Sequence, residues 1–226
     1  MPDVVTTAAL RDDIVGHLLR AFEHAKSTAA PFEHWQLHDV LPAQSGASLR
    51  ALPFLVADLG GVSGKRELHN DQRCYFAGSV NDAYPLCAAL ADAFQSDVVV
   101  RAVEAATATS LAGTYVRLEY AQDVDGFWLQ PHTDLGVKRF TMLIYLPDSP
   151  EQHDLGTDIY ADEETWTKRY PFIENSALAF IPGDNTWHGM ERRPIHGVRR
   201  SLIMNYVTDA WRERGQLAYP DRPVLA

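Results

Sequence analysis

Apolar residues near the start of the chain recur at helical spacing: Leu10, Ile14, Val15, Leu18, Leu19 and Phe22. That period predicts an amphipathic helix with Thr6 or Thr7 as its cap and Pro31 as a stop. Residues 31–80 carry short apolar pieces, such as 52–59, between the turn signals Gly60-Gly61 and Ser63-Gly64. A second helical stretch covers 83–110. Pro85 suits its first turn, Leu86, Leu90 and Phe94 lie four apart, and Ser96-Asp97 divides it in two. After Gly113 the texture changes. Segments 114–120, 140–146, 157–160, 177–181 and 201–207 are rich in β-formers, and Asp125-Gly126, Pro147-Asp148, Pro182-Gly183-Asp184 and His196-Gly197 punctuate them. Short strands between regular turns predict a β-sandwich or barrel, with the helical layer covering one outer face. The expectation is one domain over residues 1–226: mostly helical and irregular support in 1–112, a β core in 113–208 and a C-terminal tail in 209–226.

Composition narrows the partners. The 226 residues carry a net charge of −10, which disfavours phosphate backbones and anionic membranes, so nucleic acid is not an expected partner. At 46% hydrophobic residues the chain has enough apolar material for a core without staples. Its two cysteines, Cys74 and Cys87, exclude a disulfide framework and a Cys-rich zinc fold and are expected as free thiols. The start, Met1-Pro2-Asp3-Val4-Val5-Thr6, lacks the basic and apolar segments of a signal peptide, and no apolar run is long enough to span a bilayer. A cytoplasmic protein is the expectation. Oligomeric state is not readable: either the sandwich or a second subunit, as in a homodimer, can cover the apolar helix faces.

With nine histidines and 30 acidic residues, a His-x-acid triplet arises by chance, and there are two, at His69-Asn70-Asp71 and His132-Thr133-Asp134. Context separates them. On a strand, residues i and i+2 share a face, so an imidazole and a carboxylate converge on one ion. A second histidine from another strand completes a two-His, one-carboxylate face with open positions for Fe(II) chemistry. His69 lies in a polar stretch without strand character, whereas His132 ends the β-like 127–130 and precedes the strand-like 139–146. The best distal partner is His188, where a strand meets a turn; His153 and His196 lie in loop-like surroundings. Beyond His188 comes Arg199-Arg200-Ser201, opening the last β-run. In a strand Arg199 and Ser201 share a face with Ile203 and Asn205, and Arg200, Leu202, Met204 and Tyr206 take the other. An inward arginine needs an anionic partner, and an arginine beside a hydroxyl forms a fork for a carboxylate. A one-residue slip would put Arg200 in that place.

His132-x-Asp134, His188 and Arg199-x-Ser201 resemble the Fe(II)- and 2-oxoglutarate-dependent dioxygenases, over roughly residues 113–208. The resemblance implies a double-stranded β-helix (jelly-roll) core flanked by N-terminal helices. It implies that His132, Asp134 and His188 hold Fe(II), and that Arg199 and Ser201 grip the far carboxylate of 2-oxoglutarate. By position Tyr145, with Thr141 nearby, supplies a further hydroxyl to that carboxylate, and Tyr120 lies at the cosubstrate. The implied reaction uses O2 and 2-oxoglutarate, releases succinate and CO2 and hydroxylates a small molecule or biosynthetic intermediate. Asp134 at the carboxylate position favours hydroxylation over halogenation. Two other readings stand beside it: a cupin-like metal enzyme that does not use 2-oxoglutarate, and a non-catalytic ligand-binding sandwich.

Other features read more plainly. Trp128, Trp166 and Trp187 are expected in core packing, with the pocket wall as the alternative. His34 and His38 lie one helical turn apart but lack a third ligand. The acidic run 158–164 is expected as a solvated loop, with a lid over the pocket as the alternative.

Overall fold

In a computed structural model of the chain, the described residues are 6–56, 64, 73–134 and 136–225. The discounted His69 triplet and the Gly60-Gly61 turn lie outside them. The chain runs through α1 (Thr7–Glu23), β1 (Lys26–Thr28), β2 (His34–His38), α2 (Ala43–Arg50), β3 (Cys74–Tyr75) and α3 (Ser79–Ala83). Next come α4 (Pro85–Gln95), α5 (Asp97–Thr107), β4 (Tyr115–Asp123), β5 (Leu129–His132) and β6 (Lys138–Leu146). Then follow β7 (Asp158–Tyr160), β8 (Trp166–Arg169), β9 (Ser176–Phe180), β10 (His188–Met190) and β11 (Arg199–Val207).

α1, α4 and α5 form where the pattern places them, for local reasons, but α1 ends at Glu23, before the expected stop at Pro31, and α2 and α3 arise in a stretch read as irregular. Thr6 Oγ1 accepts the Ala9 amide at 3.2 Å, capping α1. Pro85 opens α4, and Ser96 takes an extended backbone (ψ 137°) that ends α4 and turns the chain into α5. The segment with His34 and His38 is a strand rather than a helical turn. Its backbone groups are satisfied across β9, in a register that puts His34 opposite Phe180.

Two antiparallel sheets result, ordered β1-β2-β9-β6-β11-β4-β3 and β5-β10-β7-β8. Residues before 112 are thus not only helical: β1 and β2 extend one edge of the larger sheet and β3 the other. The tail also joins the sheet, with Ala218 and Val224 amides donating to the carbonyls of Val116 and Thr114. The larger sheet is buried on both faces. Its helical face packs Leu118, Met142, Ile144, Leu202 and Met204 against Ile14, Leu18, Leu90, Phe94 and Val103. Tyr206 seals that layer by donating to the Phe94 carbonyl at 2.6 Å. The inner face holds a smaller apolar cluster, in which Tyr145, Phe172, Leu178 and Phe180 meet Ile159 and Met190. The alternation read for β11 holds, with Arg199, Ser201, Ile203 and Asn205 turned inward.

The acidic run is not wholly a solvated loop. Asp158 is fully buried in β7, accepting from Arg169 Nε, Arg193 Nη1, Trp166 Nε1 and the Glu191 amide at 2.8, 2.7, 3.1 and 2.8 Å. Residues 161–165 are the exposed turn. Cys74 and Cys87 are free thiols, which burial pushes up to about 11 and about 12. No helix among the described residues is long and apolar enough to cross a membrane.

Candidate metal and cosubstrate site

Two strands of the smaller sheet bring the histidines together. β10 pairs with β5 so that His188 lies opposite His132, their ring centroids 4.4 Å apart. Gly189 permits this approach, because a Cβ there would stand 2.7 Å from the Leu129 carbonyl oxygen. Asp134 follows just after β5. Ligand atoms of His132, Asp134 and His188 all lie within 4.8 Å of one another.

Backbone contacts fix the imidazole tautomers. His132 Nδ1 is 3.0 Å from the Gln130 carbonyl and His188 Nδ1 is 2.9 Å from the Thr186 carbonyl. A carbonyl only accepts, so each Nδ1 carries a proton, which leaves Nε2 as the nitrogen that would face an ion. His188 is also held neutral: burial, reinforced by nearby His132 and opposed by Asp134, lowers it to about 3. Asp134 is fixed from both sides. Lys138 Nζ bonds its Oδ1, and Thr141 Oγ1 donates to its Oδ2 at 2.7 Å. Asn205 Nδ2 in turn donates to Thr141 Oγ1 at 2.9 Å, which directs the threonine proton toward Asp134. Two imidazoles and one carboxylate, each oriented by a second partner, suit a divalent first-row metal.

The cavity beside this triad is walled by Phe127, Leu129, Leu143, Met190 and Ile203 and reaches Arg199 and Ser201 on β11. Arg199 donates from Nε to the Leu155 carbonyl at 2.6 Å and from Nη1 to Asp123 Oδ2 at 2.5 Å, with Phe172 under its guanidinium. Ser201 is buried, and its Oγ has no hydrogen-bond partner among the described residues. Tyr145 stands opposite Ser201 across β6 and β11, its hydroxyl 2.8 Å from Thr157 Oγ1. Burial pushes Tyr145 up to about 12, so it stays protonated.

Not every expected residue arrives where the sequence placed it. Thr141 reaches the site at its metal end, supporting Asp134, rather than beside Arg199. Tyr120 does not reach it: it points to the helical face and donates to the Leu49 carbonyl at 2.9 Å. The physical reason is parity, since Tyr120 shares its face of β4 with Leu118 and Gln122, opposite Glu119 and Asp123. Arg200 turns away with them and pairs with Asp148 at 2.6 Å. Trp128, Trp166 and Trp187 are not on the cavity wall, nor are they in the core: Trp166 is exposed, and Trp128 and Trp187 are half-buried.

The structure adds a buried chain of charge that sequence reasoning missed. Arg73 Nη1 lies 2.7 Å from Asp123 Oδ1, and its Nε lies 3.5 Å from Glu119 Oε1. Arg117 donates to Glu119 Oε2 at 2.6 Å and to Asn205 Oδ1 at 3.0 Å. The signal was present in the alternation Arg117, Glu119, Asp123 within a β-forming run: on a strand buried on both faces, these charges must meet partners inside.

No protein-family model matches this sequence, and no curated protein does. Solved structures share its fold. A prolyl-4-hydroxylase from Pseudomonas putida aligns with TM-score 0.52 and 17% identity over 89% of this chain and 94% of its own. HygX from Streptomyces hygroscopicus, solved with nickel, 2-oxoglutarate and hygromycin B, aligns with TM-score 0.52 and 14% identity over 77% and 82%. An oxidoreductase of the 2OG-Fe(II) oxygenase family from Burkholderia pseudomallei aligns with TM-score 0.50 and 12% identity over 87% and 89%. The chain has the double-stranded β-helix fold of these oxygenases.

Proposed function

We propose that this protein is an Fe(II)- and 2-oxoglutarate-dependent oxygenase that hydroxylates a small molecule or biosynthetic intermediate. One observation carries the reading: the His132–Asp134–His188 cluster opens into a cavity whose other end holds Arg199 and the Ser201 hydroxyl, which has no partner among the described residues. The two Nε2 lone pairs and the Asp134 carboxylate would hold the metal. Arg199 and Ser201 would hold the far carboxylate of 2-oxoglutarate by charge-assisted hydrogen bonds. Tyr145 braces the inner wall through its hydrogen bond with Thr157. Leu129, Leu143, Met190 and Ile203 exclude water around the reacting centre. When bound, Fe(II) and 2-oxoglutarate supply the activation of O2, with release of succinate and CO2.

The test is an anaerobic titration of the protein with Fe(II) and then 2-oxoglutarate, followed by visible absorbance. The expected result is a weak charge-transfer band in the wild type that is lost in His188→Ala and needs far more 2-oxoglutarate in Arg199→Ala. Iron binding with no 2-oxoglutarate-dependent band would refute the cosubstrate assignment and favour a cupin-like metal enzyme. Absence of iron binding would refute the metal site.

A further inference from the structure

Arg199 presents a problem for its assigned task. The group that would anchor an incoming carboxylate already holds one. Asp123 Oδ2 lies 2.5 Å from Arg199 Nη1, and both side chains are buried, at 2% and 8% exposure. A dianion approaching Arg199 therefore meets a resident negative charge in a site of low dielectric, where like charges repel strongly. A second guanidinium changes that balance. Arg73 Nη1 lies 2.7 Å from the other oxygen of the same carboxylate, and its side chain is 9% exposed. Asp123 is thus shared between two arginines, one from β11 and one just before β3. If a ligand takes over Arg199, Asp123 keeps a cation, and no buried carboxylate is left uncompensated.

We propose that Asp123 is a built-in competitor for the anchoring arginine, and that Arg73 is the counter-cation that holds Asp123 while cosubstrate occupies Arg199. The pair sets the affinity for the 2-oxo dicarboxylate through the charge left at Arg199; both are positioning residues. The proposal rests on the 2-oxoglutarate reading above and deepens it.

The two substitutions should act in opposite directions, which a merely structural ion pair would not produce. Asp123→Asn keeps an amide oxygen to orient Arg199 Nη1 but removes the competing charge. Arg73→Gln leaves Asp123 with Arg199 as the cation it must give up. The experiment is calorimetric titration of the full chain, loaded with Ni(II) to prevent turnover. The ligands are 2-oxoglutarate and 2-oxopentanoate, the same 2-oxo acid with a methyl in place of the far carboxylate. Expected is roughly tenfold tighter 2-oxoglutarate binding in Asp123→Asn and roughly tenfold weaker binding in Arg73→Gln, with 2-oxopentanoate changed by less than about threefold in both. Shifts of the same sign in the two variants, no change in either, or equal shifts for both acids would overturn the proposal. If Asp123→Asn does not fold, Arg73→Gln alone decides: a loss confined to 2-oxoglutarate supports the proposal, and unchanged affinity or an equal loss for both acids overturns it. A wild type that binds Ni(II) but not 2-oxoglutarate refutes the cosubstrate reading and the proposal with it. A wild type that binds 2-oxoglutarate while the variants miss these signs refutes the proposal alone.

Discussion

Replacing Ser201 with alanine should make the ligand-free protein more stable and the liganded protein no better than wild type. Ser201 sits on β11 between Ala121 and Tyr145 of the flanking strands, 1% exposed, with its Oγ unpartnered among the described residues. A buried hydroxyl without a partner costs about 1–3 kcal/mol, and the single atom lost on truncation returns part of that as poorer packing. A net gain of about 1 kcal/mol remains, which for a chain of this size raises Tm by about 2–4 °C. The same hydroxyl, donated to a bound carboxylate, contributes about 1.5 kcal/mol or more, so its loss weakens binding roughly tenfold. At a 2-oxoglutarate concentration near 100 times the wild-type Kd, with Ni(II) present, the wild type gains about 2.7 kcal/mol and the variant about 1.4 kcal/mol. The advantage of the variant then disappears. Differential scanning calorimetry with and without 2-oxoglutarate measures both arms. A lower ligand-free Tm for Ser201→Ala would refute the claim that the hydroxyl is held unsatisfied. An advantage that persists undiminished with ligand would refute its role at the carboxylate.

Three further expectations follow from buried groups. Burial raises the pKa of Asp158, but hydrogen bonds from the Glu191 amide and Trp166 and the charge of Arg193 outweigh it and hold the carboxyl below its ordinary value. Asp158→Ala strands these donors in the sheet that carries His188, so it should cost about 3 kcal/mol and lower Tm by about 6–12 °C; a drop under about 2 °C would contradict the buried-hub reading. His188 is depressed to about 3 from 6.5, so below pH 6.5 the unfolded chain binds a proton that the folded one does not. Its contribution is therefore intact above pH 6.5 and lost as pH falls toward 3, by a few kcal/mol in all; urea midpoints across that window should fall less steeply in His188→Gln. Tyr120→Phe should lower stability by about 1 kcal/mol through the bond to Leu49 while leaving 2-oxoglutarate affinity unchanged, and weaker binding on calorimetric titration would restore Tyr120 to the site.

Much of the β11 wall was legible from the chain. Period-2 alternation separates Arg199 and Ser201 from Arg200 and Tyr206 without reference to any neighbour, because side chains on a strand alternate wherever the strand lies. The same rule left Tyr120 undecided. β4 is buried on both faces, so parity groups Tyr120 with Leu118 and sets both against Glu119, but cannot say which set meets the cavity. A spacing of four also cannot tell helix from strand at His34 and His38, because it leaves both on one face either way, and pairing with β9 makes the segment a strand.

Local chemistry along the chain thus determined the elements that depend on near neighbours: the Thr6 cap, the break at Ser96, the alternation of β11 and the converging pair His132 and Asp134. Tertiary structure decided whatever depends on distant partners. It brought His188 opposite His132, took Thr141 to the metal end, buried Asp158 among cations, and gave Arg199 to Asp123 and Asp123 to Arg73. Any of the 30 acidic residues can satisfy an arginine as far as composition goes. Only the pairing of β4 with β11, and of β3 with β4, selects the carboxylate close enough in a low-dielectric interior to do so.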